Sequence, residues 1–186
     1  IRARDVVIAT NGYTGDLSPW QRDRMIPIGS YMVASEELPS ETVQSLFPTG
    51  RIVSDSRRVV YYYRASPDGK RVLFGGRVSG GETDLGRSAV RLMTELKRIF
   101  PQLEGCKATH SWMGFVGYTF DTLSHAGRDG NVHYAMGYCG SGVGMASYRG
   151  MKTGLQVLGL PDGATGLAET QFPTRPFYRG KPWFLP

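Results

Sequence analysis

The sequence is poor in the residues that bind metals or staple small folds. Its 186 residues include two cysteines and three histidines. Cys106 and Cys139 belong to no C-x-x-C pair and have no histidine beside them at ligand spacing, which argues against a zinc site and against a disulfide framework. No metal is expected, and a reducing, cytoplasmic setting is the default for such a chain. Long hydrophobic runs are also missing. No stretch approaches the ~18 apolar residues of a membrane span, and nothing at the amino end resembles a signal peptide, so no membrane partner is expected. Charge of one sign is not concentrated: 22 basic against 16 acidic residues leave +6, but Arg22/Arg24, Arg57/Arg58 and Lys70/Arg71 are scattered along the chain. That pattern does not point to nucleic acid. No Ser/His/Asp or Cys/His arrangement demands nucleophilic chemistry, and there are no internal repeats or low-complexity tracts.

What is present is a chain with 40% hydrophobic residues, enough for a real core. Strand signals fall at about 4–10, 26–35, 51–54, 58–65, 71–76, 107–116 and 131–137, with turn signals such as SPDGK between them, as in an antiparallel meander. The run Val6-Val7-Ile8-Ala9 reads as a strand buried on both faces, which needs neighbours. Over 85–100, Ala89, Leu92, Met93, Leu96 and Ile99 share one helical face, with Thr83 or Asp84 as cap and Pro101 as stop. A second helix is expected over 143–158. The fold class is α+β. The opening strand has no lead-in, and the closing RPFYRGKPWFLP places aromatics that want a surface to pack on, so the chain reads as a piece of a longer polypeptide.

The densest signal is YAMGYCGSGVGMASYRG at 134–150. A strand, a turn made of glycines and a helix start aim free N–H groups and a positive helix end at one point, where anionic or electron-rich atoms are favoured. The dinucleotide fingerprint G-x-G-x-x-G fails in every register across 137–147, and no acidic residue follows at the expected distance. The alternative for these glycines is close packing: Ala146, Gly150 and Gly154 repeat every four residues and leave one helix face nearly bare. The loop alone does not decide.

Several motifs in order carry a resemblance: VVIATNGYTGDL, IPIGSYMVASEEL, YYRASPDGKRVLFGGR, a helix ending in FPQL, WMGFVGYTFDTLSHAG and YAMGYCGSGVGMA. The chain resembles the carboxy-terminal half of the D-amino-acid-oxidase-like FAD-dependent oxidoreductases, and PFYRGKPWFLP is similar to the tail of the γ-glutamylputrescine-oxidase-like branch. The resemblance implies FAD as cofactor. It also implies an FAD-binding domain whose amino-terminal half is absent here, and which would be the partner of this chain in the same polypeptide. Residues 1–20 would end that domain, 21–118 would form an antiparallel or mixed sheet for substrate with flanking helices, 119–165 would return to the FAD domain, and 166–186 would be a tail. Thr10, Asn11, Gly12, Gly140, Ser141, Gly142 and Val143 become the FAD-binding candidates. Negative charge that builds on the pyrimidine side of a reduced flavin would be met by N–H donors at the helix start.

The family's amino-acid oxidases carry a pattern like W-x-G-L-R-P-x-T-x-D-G-x-P, whose arginine pairs with a substrate carboxylate. Here Trp112, Gly114, Thr119, Asp121 and Leu123 match, but Val116 and Gly117 stand in the Arg-Pro positions and Ser124 replaces the proline. The resemblance therefore favours a small-molecule amine, a polyamine conjugate or an N-substituted compound over a simple D-amino acid or glycine, unless an arginine elsewhere, such as Arg64 or Arg77, substitutes. Tyr62, Trp112 and His125 are the candidates for a substrate pocket, and no catalytic residue is assigned. His110 and His133 read as surface or hydrogen-bonded residues, and Tyr61 and Tyr63 oppose Tyr62 across a strand. A second class of reading is a non-catalytic α+β binding module with the Pro/aromatic tail as a docking segment.

Overall fold

In the computed structural model of the chain, residues 2–57, 59–77, 84–166 and 170–184 are described. The chain divides into two compact units, one made of Ile1–Ile28 with Phe115–Phe184, the other centred on Gly29–Gly114. Strands β2 (Ile26–Ser35) and β6 (Ala108–Tyr118) each cross that division along the chain.

The second unit holds a five-stranded sheet with the order β3-β4-β5-β2-β6, where β3 is Val53–Ser54, β4 Tyr61–Ala65 and β5 Val72–Gly76. The β3-β4 and β4-β5 pairs form the expected antiparallel meander, and β5 then pairs antiparallel with β2. Helix α3 (Leu85–Ile99) is the amphipathic helix read from the sequence, with Leu92, Met93 and Leu96 buried. The side chain of Asp84 accepts the Arg87 N–H at its start, so Asp84 is the cap; Thr83 lies outside the described residues. The core joins α3 to Tyr31, Val33, Val72 and Phe74 of the sheet and to Val43 of α2 (Ser40–Leu46), a helix the sequence reading omitted. Alternation along β4 sends Tyr61 and Tyr63 against Phe74, with ring centroids 5.2 and 5.6 Å away, while the Tyr62 hydroxyl meets Ser30 Oγ at 2.5 Å. Gly75 is fixed by contact: a Cβ there would lie 2.0 Å from Met32 Sδ and 2.5 Å from the Tyr62 ring.

The first unit has a three-stranded sheet, β1 (Val6–Ile8), β8 (Val132–Met136) and β7 (His125–Asp129), in the order β1-β8-β7. β1 runs parallel to β8 and β7 antiparallel to it, so the sheet is mixed. β7 was not expected. Its hairpin turns on Gly130-Asn131, with Gly130 at φ +57°. The reading of β1 as buried on both faces is corrected: it has one strand neighbour, and Val6 and Val7 are 48% and 50% exposed, leaving Ile8 as its buried residue. The core gathers Ile8, Tyr134, Met136, Met25 and Phe172, with Trp20 packed against it. Trp20 comes from the single turn α1 (Pro19–Arg22), and the Arg24 guanidinium lies 3.8 Å over its ring. The tail is tied in by Tyr178, whose buried hydroxyl donates to Met25 O at 2.7 Å. Burial, and next the nearby Asp23, push this phenol well above its ordinary pKa, so it stays a donor.

Candidate functional site: the glycine loop and the start of its helix

β8 ends at Met136, and the chain then turns through Gly137 (φ +79°), Cys139 (φ +51°) and Gly140 (φ +97°) into α4 (Gly142–Val157). Left-handed backbone at three of four positions explains the two glycines, and Cys139 carries a conformation that few side chains adopt. The turn is pinned from two sides. The Gly137 N–H donates to Asn11 Oδ1 at 2.9 Å and the Cys139 N–H to Gly117 O at 3.0 Å. Thr119 fills the space inside it: a Cβ on Gly137 would lie 2.3 Å from Thr119 Cγ2, and Thr119 Oγ1 is 3.6 Å from Cys139 Sγ.

The helix start is left open. The Met145 N–H bonds Ser141 O at 3.1 Å and the Ser141 N–H bonds Tyr138 O at 2.9 Å. Between them, the N–H groups of Gly142, Val143 and Gly144 have no acceptor within the helix. No side chain caps this end and no acidic residue lies in its first turn. Val143 is 98% exposed. A Cβ on Gly144 would meet nothing within 4 Å, and one on Gly142 would meet only the Tyr138 side chain at 3.9 Å. Packing within this chain therefore does not account for these two glycines. The same holds for Gly150 and Gly154, where an added Cβ faces open space.

The other candidates fall into distinct places. Thr10 Oγ1 pairs with Thr14 Oγ1 at 2.9 Å at the end of β1. Asn11 (φ +47°) has its side chain turned inward, against Gly137 N and close to Gly117, and Gly12 lies so near Phe115 that a Cβ would come within 3.0 Å. Asn11 thus ties the end of β1 to the glycine loop, and the structure brings these two candidate segments together in one unit. His125 is 1% exposed, stacks on Phe172 with ring centroids 4.3 Å apart, and has Nε2 3.0 Å from Asp121 Oδ2. Its ring is enclosed by its own unit. Burial raises the Asp121 carboxyl, but hydrogen bonds from His125 and from the Leu123 N–H outweigh this and hold it below the ordinary carboxylate range. Tyr62 and the half-exposed Trp112 belong to the second unit. Val116 lies on β6, and Arg64 spends its Nε on Ala65 O. His133 is buried, with Nε2 3.5 Å from Asp5.

One group escaped the sequence reading. Arg149, on α4, is fully buried: Nε donates to Ser124 Oγ at 3.2 Å, Nη2 to Ser124 O at 3.0 Å and Nη1 to Thr165 Oγ1 at 3.0 Å. The unusual Ser124, flagged at the proline position, was its only sequence trace.

A cleft of about 390 Å³ in the first unit is lined by Tyr13, Met25, Phe115, Arg22 and Arg179 among others. Its arginines are committed to ion pairs, Arg22 with Asp16 at 2.5 Å and Asp23 at 2.9 Å, and Arg179 with Asp23 at 3.2 Å. Among the described residues no three His, Cys, Asp or Glu side chains form a group that could hold a metal ion, and no helix is long and apolar enough to cross a membrane. Both cysteines are free thiols.

Known proteins resemble this chain in sequence and in fold. A family model described as "FAD dependent oxidoreductase" (DAO) matches residues 1–153. The γ-glutamylputrescine oxidoreductase of Escherichia coli (strain K12) is 34% identical over 145 residues, covering 77% of this chain and 34% of that protein. The probable oxidoreductase OrdL of Rhizobium meliloti (strain 1021) is 35% identical over 151 residues, covering 81% of this chain and 35% of that protein. These two agree with the resemblance to the γ-glutamylputrescine-oxidase-like branch. Among solved structures, fructosyl peptide oxidase from E. terrenum superposes with a TM-score of 0.72 at 13% identity, covering all of this chain and 50% of that one. Glycine oxidase from Geobacillus kaustophilus gives 0.67 at 19% identity, covering 95% and 46%. The chain thus spans about a third of the length of the curated relatives and about half of these solved chains. With a family model across most of its length, the α+β chain with its open helix start belongs to the DAO family of FAD-dependent oxidoreductases.

Proposed function

We propose that this chain is part of an FAD-dependent oxidoreductase that oxidises a C–N bond of an amine, a polyamine conjugate or an amino acid. The observation that carries the reading is the start of α4, where three amides without helix acceptors, open glycines and an uncapped helix end form a cradle for electron-rich atoms. It fits the pyrimidine side of a flavin. Gly140, Gly142 and Val143 would hold that side, Ser141 would shape the turn, and Thr10, Asn11 and Gly12 would support it from the end of β1. FAD, when bound, supplies the acceptor for a hydride from the carbon next to a neutral amine.

The residues of this chain orient and enclose. The amides of Gly142, Val143 and Gly144 would stand where negative charge builds on a bound flavin and would need no reorganisation to meet it. Asn11 and Thr119 fix the loop that presents them. In this proposal residues 1–20 and 119–165 contribute to the FAD-binding domain, residues 21–118 form the substrate domain, and the two exposed valines of β1 face the rest of the FAD-binding domain, the amino-terminal half of the same polypeptide. Tyr62 and Trp112 remain pocket candidates of the second unit, while His125, enclosed in the first, would act through its hold on Asp121. The two free thiols suit a cytoplasmic setting.

Val116, in the place of a carboxylate-binding arginine, supports an amine or conjugated polyamine over a free amino acid, and the name of the Escherichia coli relative points the same way. The test is a substrate panel on the full-length flavoprotein. Conjugated polyamines and amines should give a higher kcat/KM than glycine or D-alanine; glycine or D-alanine at the top of the panel would overturn the substrate assignment.

A further inference from the structure

Arg149 is a buried cation that the proposed chemistry leaves without a role. Among the described residues its three hydrogen bonds go to neutral oxygens, and two of them grip one residue, Ser124, through both its side chain and its carbonyl. Such a fork holds position as well as satisfying charge, because a planar guanidinium offers its donors at fixed angles. Ser124 closes the turn that runs from β6 to β7. The same turn begins at Thr119, whose hydroxyl donates to Leu123 O at 2.9 Å and whose methyl fills the space beneath Gly137. Thr119 also neighbours Cys139 Sγ, and the Cys139 N–H donates to Gly117 O, two residues before Thr119. Two residues beyond Gly140, α4 begins, and two turns along it comes Arg149 again. The contacts close a ring: helix to Ser124, its chain neighbour Leu123 to Thr119, Thr119 to the glycine loop, and the loop back to the helix start.

From this ring we infer that Arg149 is a positioning residue: by clamping Ser124 it sets the placement of the α4 N–H groups that face the flavin. The inference rests on the flavin reading of the loop. Ser124 and Arg149 act as a pair in it. A serine at 124 lacks the fixed φ by which a proline stiffens the backbone, and the guanidinium supplies that stiffness from the helix side. Without Arg149 the helix start keeps its amides but loses the brace that aims them, and a misplacement of 1 Å in such a site costs about 10²-fold in rate.

The test uses the full-length flavoprotein and four variants: Arg149→Met, Arg149→Lys, Ser124→Ala and, as a control for simple destabilisation, Phe47→Leu in the core of the second unit. Flavin midpoint potential, reductive half-reaction rate and Tm are measured on each. Arg149→Met should make the potential more negative and slow reduction about 10²-fold. Arg149→Lys should recover part of both, and Ser124→Ala, which keeps the carbonyl acceptor, should move both in the same direction by less. Phe47→Leu should lower Tm with potential and rate unchanged. Wild-type potential and rate in Arg149→Met, at whatever Tm, would overturn the inference. Should Arg149→Met not fold, wild-type values in both Arg149→Lys and Ser124→Ala would overturn it equally. A full-length wild type that binds no flavin would instead overturn the proposed function itself.

Discussion

The two units of this chain differ in the balance of apolar packing and polar ties. The second seals an apolar core: Tyr31, Val33, Val43, Val72, Phe74, Leu92 and Leu96 sit between sheet and helices with almost no exposed area. The first has a smaller core around Ile8, Met136 and Phe172 and adds polar ties, Asn11 to Gly137, Arg149 to Ser124, His125 to Asp121 and Tyr178 to Met25. It also leaves amides and valines exposed at its helix start and edge strand. Apolar packing is tolerant of small shifts and stabilises the unit as a whole. Hydrogen bonds to single backbone atoms hold particular groups in particular places, which is what a face presented to a cofactor requires. Lost packing in the second unit should therefore appear as lost stability, and damage to the glycine loop and its helix start in the first as altered cofactor chemistry.

Phe74→Ala gives the sharpest contrast on the stability side. The ring is fully buried and flanked by Tyr61 and Tyr63, so its removal should cost about 3–5 kcal/mol in chemical denaturation, with the flavin potential of the remaining folded flavoprotein unchanged. Gly142→Val should do the reverse. The new side chain meets only Tyr138 at contact distance within this chain, so Tm should fall little, while reduction slows by ~10²–10³ as the added side chain holds the ring away from the amide donors. A lower Tm with normal potential and rate would return these glycines to a packing role.

Smaller effects test the polar braces. Tyr178→Phe leaves Met25 O without its donor in a buried site and should cost about 1–3 kcal/mol by thermal unfolding. The last is a pH effect. Asp121 has a depressed pKa in the fold, so its contribution to stability is present above the ordinary value of 3.8 and is lost as pH falls through the lower folded value. Acid unfolding of Asp121→Asn should accordingly lose part of the wild-type slope below about pH 4, and identical slopes would remove the carboxylate from the brace.

The same contrast governs what could be read in the sequence. The second unit was legible because its order rests on periodicity: the face of α3 and the alternation of Tyr61, Tyr62 and Tyr63 follow from spacing alone. α2 escaped because a seven-residue helix burying only Val43 has little pattern to show. In the first unit, β7 reads HAGRD, with no β-branched or aromatic residue, and is a strand because β8 pairs with it; the Gly130-Asn131 turn was the available clue. β1 misled in the other direction, since a run of valines says that a strand wants neighbours on both faces without saying that this chain provides them. The glycine loop stood out in the sequence as a candidate because backbone N–H groups at a helix start need no particular side chain. Its braces were not, because Asn11, Ser124 and Arg149 act across long stretches of sequence, and an arginine on a helix ordinarily reads as solvent-exposed.

The start of α4 can be tested directly by amide hydrogen exchange at Gly142, Val143 and Gly144 in the full-length protein, stripped of FAD and then reloaded. These three N–H groups have no acceptor in the helix, so they should exchange fast in the stripped protein and slow sharply on FAD binding, while the amides of β4 and β5 stay protected in both states. Unchanged exchange at all three positions on FAD binding would contradict the placement of the cofactor at this helix start.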